Sequence, residues 1–219
     1  MKKVTITFKR LKNIVLVFVV CAICKVSPAQ NLCPNIDFSM RNFTNWVCQI
    51  SNSASTGNTA YSALTWTGLA AVSGRHTIIT DIYGTDANTC DGSPNERLPL
   101  VPDGFNQCAQ VGNSSLGADA ECIKYTMTVD TGNSLLLLHF AVVFQDPGHS
   151  SDQQPRFEMR IQDTTGKLLN VGCASYNVTA GGGIPGFQKC GDLPWRDWTT
   201  VGVSLLGLVG QKVQIVFAI

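Results

Sequence analysis

Residues 135–163 read LLLLHFAVVFQDPGHSSDQQPRFEMRIQD, and this stretch decides the fold. Nine of the ten residues from 135 to 144 are apolar, a run too short to span a bilayer but suited to a strand covered on both faces. From Phe157 the pattern turns to strict alternation, with Phe157, Met159 and Ile161 on one face and Glu158, Arg160 and Gln162 on the other. That period of two predicts a half-buried strand. Between the two lies QDPGHSSDQQP, too long for a tight hairpin and rich in turn formers, so it projects from the end of a sheet. Its Asp146, His149 and Asp152 are the candidate ligand-binding groups of this end.

Other segments carry the same strand signal. HTIIT at 76–80 is a short strand, and residues 117–129 place Tyr125, Met127 and Val129 in alternation with Lys124, Thr126 and Thr128. Further strands are expected over residues 168–176, through Val201 and Val203, and over residues 213–217 with Val213, Ile215 and Phe217 inward. NLCPNIDFSMRNFTNW at 31–46 reads as an entry strand whose Phe38, Phe43 and Trp46 are core aromatics. Residues 51–69 and 81–104 are dense in polar and turn-forming residues and read as long loops. The sum is an all-β chain, an antiparallel β-sandwich.

The N-terminus is of a different kind. Lys2, Lys3, Lys9, Arg10 and Lys12 precede an uninterrupted apolar run at 14–23, and Ser27 and Ala29 supply small side chains for cleavage. Residues 1–29 are therefore expected to be a secretory signal peptide, with a single domain from 30 to 219. Val20 and Ile23 precede Cys21 and Cys24 where a lipid-attachment site needs a small residue, which argues against a lipid anchor. Cleavage would remove six of the sixteen basic residues and none of the fifteen acidic ones, leaving ten against fifteen, a net charge of −5. Nucleic acid and anionic membranes are excluded as partners on that balance, since both demand a basic face. No second apolar segment approaches membrane length.

Seven cysteines follow the cleavage site, and export makes disulfides their expected state. Local pairing of Cys33 with Cys48, Cys90 with Cys108 and Cys173 with Cys190 would close three loops of ordinary size, each stabilising the domain by about 3 kcal/mol. Cys122 is left over. Close CxxC-like pairs, which a zinc site would want, are missing from these seven.

Candidate sites are few. Residues 31–46 also resemble the opening of jelly-roll carbohydrate-binding modules, and that resemblance implies a structural calcium held by Asp37 and backbone carbonyls, with Ser39 standing where those modules have an acidic residue. Asp81, Asp86, Asp91 and Asp103 supply oxygens at spacings that fit no EF-hand and read as Asx-turn residues. Trp195 and Trp198 could form a sugar-stacking platform or pack at the sandwich edge. GGGIPGF at 181–187 is not a phosphate loop, since no Gly-Lys-Ser/Thr follows. His139, inside LLLLHFAVV, reads as a core histidine bonded to backbone.

The segments VPDGFNQCAQVGN, GADAECIKYTMTV, FAVVFQDPGHSSDQQPRFEMRIQD, IPGFQKC and WRDWTTVGVSLLGLVGQKVQIVF together resemble an N-terminal domain of large secreted surface proteins of gliding, Gram-negative bacteria. Such proteins carry PKD or other immunoglobulin-like repeats and a gliding-motility-associated C-terminal region exported by the type IX system. The last segment also resembles galactose-binding-like and MAM-like jelly rolls. The resemblance implies a cell-surface or secreted multidomain protein with an adhesive role, recognising glycan or protein, and no catalytic residue. Two departures stand out: Cys122 replaces a noncysteine residue, and the chain stops within an apolar strand where the family continues. A fragment is expected on that basis, with an unpaired edge beside residues 213–219.

The competing class is a secreted hydrolase, or the carbohydrate-targeting module of one, using Asp146, His149, Asp152 or Glu158. No GxSxG or HExxH motif accompanies those residues, and the noncatalytic binding module is the reading we carry forward.

Overall fold

The computed structural model describes residues 33–54, 56–90, 97–115, 117–181 and 184–219. The proposed signal peptide and Asp91 lie outside them. Ten strands form among the described residues, all paired antiparallel: β1 (Trp46–Asn52), β2 (His76–Ile79), β3 (Cys108–Val111), β4 (Asp119–Thr128), β5 (Leu135–Val143), β6 (Arg156–Gln162), β7 (Ser175–Thr179), β8 (Gln188–Cys190), β9 (Leu193–Ser204) and β10 (Lys212–Ala218). A five-stranded sheet has the order β1-β4-β10-β6-β7, a three-stranded sheet the order β5-β9-β8, and β2 and β3 form a separate ribbon. The chain changes sheet at β4–β5, β5–β6, β7–β8 and β9–β10, so the two sheets are laced into one β-sandwich. Phe140 of β5 meets Phe157 of β6 at 5.0 Å and Tyr176 of β7 at 5.2 Å between ring centroids, which places the core between the sheets.

The two strands on which the fold reading rests are present, with their burial exchanged. In β5 only Leu136, Leu138, Phe140 and Val142 are buried, while Leu135 and Leu137 are 64% and 62% exposed, so this apolar run is half-buried rather than covered on both faces. Each of the four inward side chains contributes about 1.5–3 kcal/mol of burial. In β6 it is the alternating strand that is covered twice: Phe157, Met159 and Ile161 face the core, and Glu158 and Gln162 are also buried. Glu158 is covered by the segment between β1 and β2, which crosses the outer face of the large sheet. There Tyr61 donates its backbone N–H to Glu158 at 2.8 Å, Trp66 packs on Cys122, Val216 and Ala218, and Arg160 stacks over the Tyr61 ring. A polar strand face can be buried when each polar group finds a partner, and Arg160 donates to Glu158 while Gln162 donates to Gln214.

Three further expectations are corrected. Residues 33–45 form turns rather than an entry strand, with positive φ at Asn35, Phe38, Arg41 and Asn45, although Phe38 does stack on Trp46 at 4.6 Å. The buried Asn35 side chain organises these turns by donating to the carbonyls of Asn42 and Thr44 and accepting from the Met40 N–H. Residues 168–174 are not a strand; apart from one bridge between Leu168 and Gln162, pairing begins at Ser175. Finally, no vacant edge flanks residues 213–218, because β10 pairs with β4 on one side and β6 on the other, and Val213, Ile215, Val216 and Ala218 are buried.

Candidate functional site

The loop between β5 and β6 does not gather its candidate residues. Asp146 uses Oδ1 to accept from the Gly148 N–H at 3.2 Å and from Gln154 Nε2 at 2.7 Å, and its own N–H donates to the Asp192 carbonyl at 3.1 Å. His149 and Asp152 are exposed. Asp152 contributes a backbone carbonyl that accepts from the Thr59 N–H at 2.8 Å, tying the loop to the segment that roofs the large sheet. Glu158 is committed elsewhere, to Tyr61 and Arg160. The Asp146 carboxylate therefore closes a turn and holds a glutamine.

The two tryptophans are not a paired platform. Trp195 is 2% exposed, and Trp198 is half-buried with its indole N–H donating to the Pro99 carbonyl at 2.9 Å. That bond ties the loop between β2 and β3 to β9, and the disulfide between Cys90 and Cys190 ties it to β8. His139 is likewise not a backbone-bonded core histidine; its Nδ1 lies 2.9 Å from the Thr200 hydroxyl and its ring 4.8 Å from Phe105.

Acidic side chains in the loops serve as turn residues. Asp37 accepts from the Ser39 N–H at 3.0 Å, Asp81 from the N–H groups of Tyr83 and Gly84, and Asp86 from that of Asn88. Among the described residues no three His, Cys, Asp or Glu side chains gather in a way that could hold a metal ion.

The cysteine pairing is long-range. Cys90 bonds Cys190 across 100 residues, which replaces the expected Cys90–Cys108 and Cys173–Cys190 pairs, while Cys33, Cys48, Cys108, Cys122 and Cys173 are free. Cys33 instead lies against Met127 and accepts from Asn133 at 3.5 Å, so the expected Cys33–Cys48 pair is also replaced. Burial pushes the Cys48 and Cys108 thiols up to about 11 and that of Cys122 up to about 12. At neutral pH these are protonated, packed side chains and poor nucleophiles.

A concave feature lies where β1 ends and β4 begins. A cleft of about 370 Å³ is lined by Ile50, Ser51, Asn52, Thr56, Thr65, Thr67, Arg75 and Asp119. Its far wall forms because Thr67 pairs with Ile50, so residues 65–67 run along the free edge of β1. The guanidinium of Arg75 is fixed from behind. Nε donates to Glu121 in a short contact, and Nη2 donates to the carbonyls of Ala120 at 3.1 Å and Ser51 at 3.4 Å, with Asp119 Oδ1 at 3.6 Å. Glu121 is buried, and burial raises its carboxyl above the usual range, against the opposing pull of the Arg75 hydrogen bond and charge. Sequence reading passed over this site. The available signal was Arg75 just before β2 and two acids, Asp119 and Glu121, two residues apart on one strand face.

Next to Arg75, His76 is buried in its neutral form. Nδ1 accepts from the Val72 N–H at 3.2 Å, which leaves the proton on Nε2, 3.3 Å from the Cys122 carbonyl. Burial lowers its pKa, and the Arg75 charge acts the same way against the backbone carbonyls that oppose it. Protonation would also aim a hydrogen at the Val72 N–H. A depressed folded-state value means stability that is present above the unfolded value, about 6.5, and is lost as pH falls through the folded one. We expect melting temperature to fall on acidification from pH 7 to 5, and His76→Gln to flatten that part of the profile; an unchanged slope in the variant would show that another group titrates.

Comparison of the chain with protein-family models, curated proteins and solved structures finds no match.

Proposed function

We propose that this chain is a noncatalytic binding domain of an exported protein, acting at the outer surface of a Gram-negative cell or beyond it and recognising glycan. The observation that carries the reading is the cleft at the β1–β4 end, whose rim is hydroxyl, amide, guanidinium and carboxylate. Groups of this kind, held by strands rather than by a loop alone, suit reversible hydrogen bonding to a polyhydroxylated ligand. Protein recognition at the cell surface is the coarser form of the same reading, and the resemblance to surface proteins with immunoglobulin-like repeats supports both. The hydrolase alternative lacks similar support: Asp146 is engaged with Gln154 and Gly148 and Glu158 with Tyr61 and Arg160, whereas general acid–base work needs two such groups converging on one reacting centre.

The test measures binding and turnover together. Purified exported protein is incubated with a panel of cell-surface and matrix polysaccharides, and both retention and released reducing ends are followed. Retention without release is expected. Release that disappears in Asp146→Asn or His149→Ala would overturn the reading in favour of a hydrolase.

A further inference from the structure

We infer that the β1–β4 cleft selects uncharged sugars by grasping a vicinal diol between Arg75 and Asp119, an inference that rests on the glycan-binding reading above. The guanidinium uses Nε and Nη2 for its internal bonds, and Nη1 has no partner among the described residues. Asp119 is placed in the same way. Its Oδ1 accepts from Asn52 Nδ2 at 3.3 Å and faces Arg75, while Oδ2 has no partner among the described residues, and its side chain is 52% exposed. An N–H donor and a carboxylate oxygen, each without a partner among the described residues, thus belong to two neighbouring side chains that line one cleft. Two adjacent sugar hydroxyls match that pair, one accepting from Nη1 and the other donating to Oδ2. Thr65, exposed on the facing wall and with no bond to its own hydroxyl among the described residues, supplies a third contact.

Charge decides which sugars fit. One guanidinium is paired with two carboxylates, Asp119 in the cleft lining and the buried Glu121 behind it, so the three groups sum to −1 when both acids are ionised. A uronate or sulfate brought into the cleft meets the exposed Asp119 before it meets a guanidinium already neutralised from behind, and like charges brought together oppose binding. Anchoring Arg75 in the free protein means that little order has to be gained on binding. The aromatic ring nearest the cleft in sequence, Trp66, is turned away: its indole N–H donates to the Tyr61 carbonyl, and its ring stacks on Tyr61 over Cys122, Val216 and Ala218. Hydrogen bonding therefore supplies the affinity, and a single site binds weakly.

Matched neutral and acidic oligosaccharides test this, with mannotriose against trimannuronate and galactotriose against trigalacturonate, titrated into isotopically labelled mature protein and followed by NMR. At least one neutral trisaccharide is expected to shift the amides of Ser51, Asn52, Thr65 and Thr67 and to bind at least tenfold more tightly than its uronate partner. Asp119→Asn, at a position exposed enough to keep the fold, is expected to weaken the neutral ligand about tenfold and to narrow the gap to the uronate. Thr65→Val is expected to weaken it about threefold. Binding of uronates at this cleft with equal or greater affinity, or an Asp119→Asn variant that binds as the parent does, overturns the diol inference while leaving glycan binding intact. Shifts confined to another face also overturn it. If none of the four sugars nor any polysaccharide of the wider panel binds, glycan recognition itself is wrong.

Discussion

Replacing Cys190 by Ser is expected to cost about 3–5 kcal/mol and to lower the melting temperature by about 10 °C. The bridge to Cys90 closes a loop of 100 residues, and the entropy that such a closure removes from the unfolded chain grows with loop length. It has a local effect as well. β8 is only three residues long and pairs with β9 alone, so the bond to Cys90 is a second restraint on it. On the other side the same bond fixes the long loop between β2 and β3, whose Leu98 and Val101 are buried and whose Pro99 carbonyl receives the Trp198 indole. Cys90→Ser should match Cys190→Ser, and Cys173→Ser should leave stability unchanged, because Cys173 is exposed and unpaired. Thermal melts of the three variants under non-reducing conditions decide between this pairing and the local one. A destabilised Cys173→Ser beside a neutral Cys90→Ser would establish Cys173 as the partner of Cys190.

The same bridge shows what sequence could and could not convey. Period-two alternation is a local property, so β4, β6 and β10 were legible within a few residues of their bounds and β9 in its Val201–Val203 part, and the antiparallel sandwich followed from them. Disulfide pairing depends on which strands become neighbours in space, and adjacency along the chain is a poor guide once the chain changes sheets four times. The burial of β5 and β6 failed for a related reason. Glu158, Arg160 and Gln162 look like a solvent face, and only the return of residues 61–66 over that face supplies the N–H that lets Glu158 be buried, while Gln162 is met by Gln214 of β10. The chemical site was less legible still. The two tryptophans and the Asp146–Asp152 loop stood out by residue type, whereas the cleft is assembled from Ser, Thr and Asn residues of ordinary appearance, and its one charged anchor lies 46 residues from its partner.

That anchor gives the other large expected effect. Glu121 is 4% exposed and its ion pair with Arg75 is shielded from water, so removing one partner leaves a buried charge without compensation. Arg75→Met is expected to cost about 3–5 kcal/mol at pH 7, whereas the double variant Arg75→Met, Glu121→Gln should recover much of that, since a buried pair replaced as a pair costs far less than one that is broken. The pH dependence separates this cause from simple loss of packing. Burial already holds the Glu121 carboxyl above its usual range in the parent, so its contribution is fully present below the unfolded value and is lost as pH rises through the folded one. Without Arg75 the opposing hydrogen bond and charge vanish, the folded value moves further up, and the variant goes on losing stability over a wider range above about pH 4. The gap between parent and Arg75→Met should therefore shrink toward pH 4, where the carboxyl in both proteins takes up a proton, and widen toward pH 7. Denaturant titrations at intervals between those limits measure it. A gap of constant size would mean that Glu121 stays solvated when Arg75 is removed, and that the cost comes from the Ser51 and Ala120 carbonyls losing their donor.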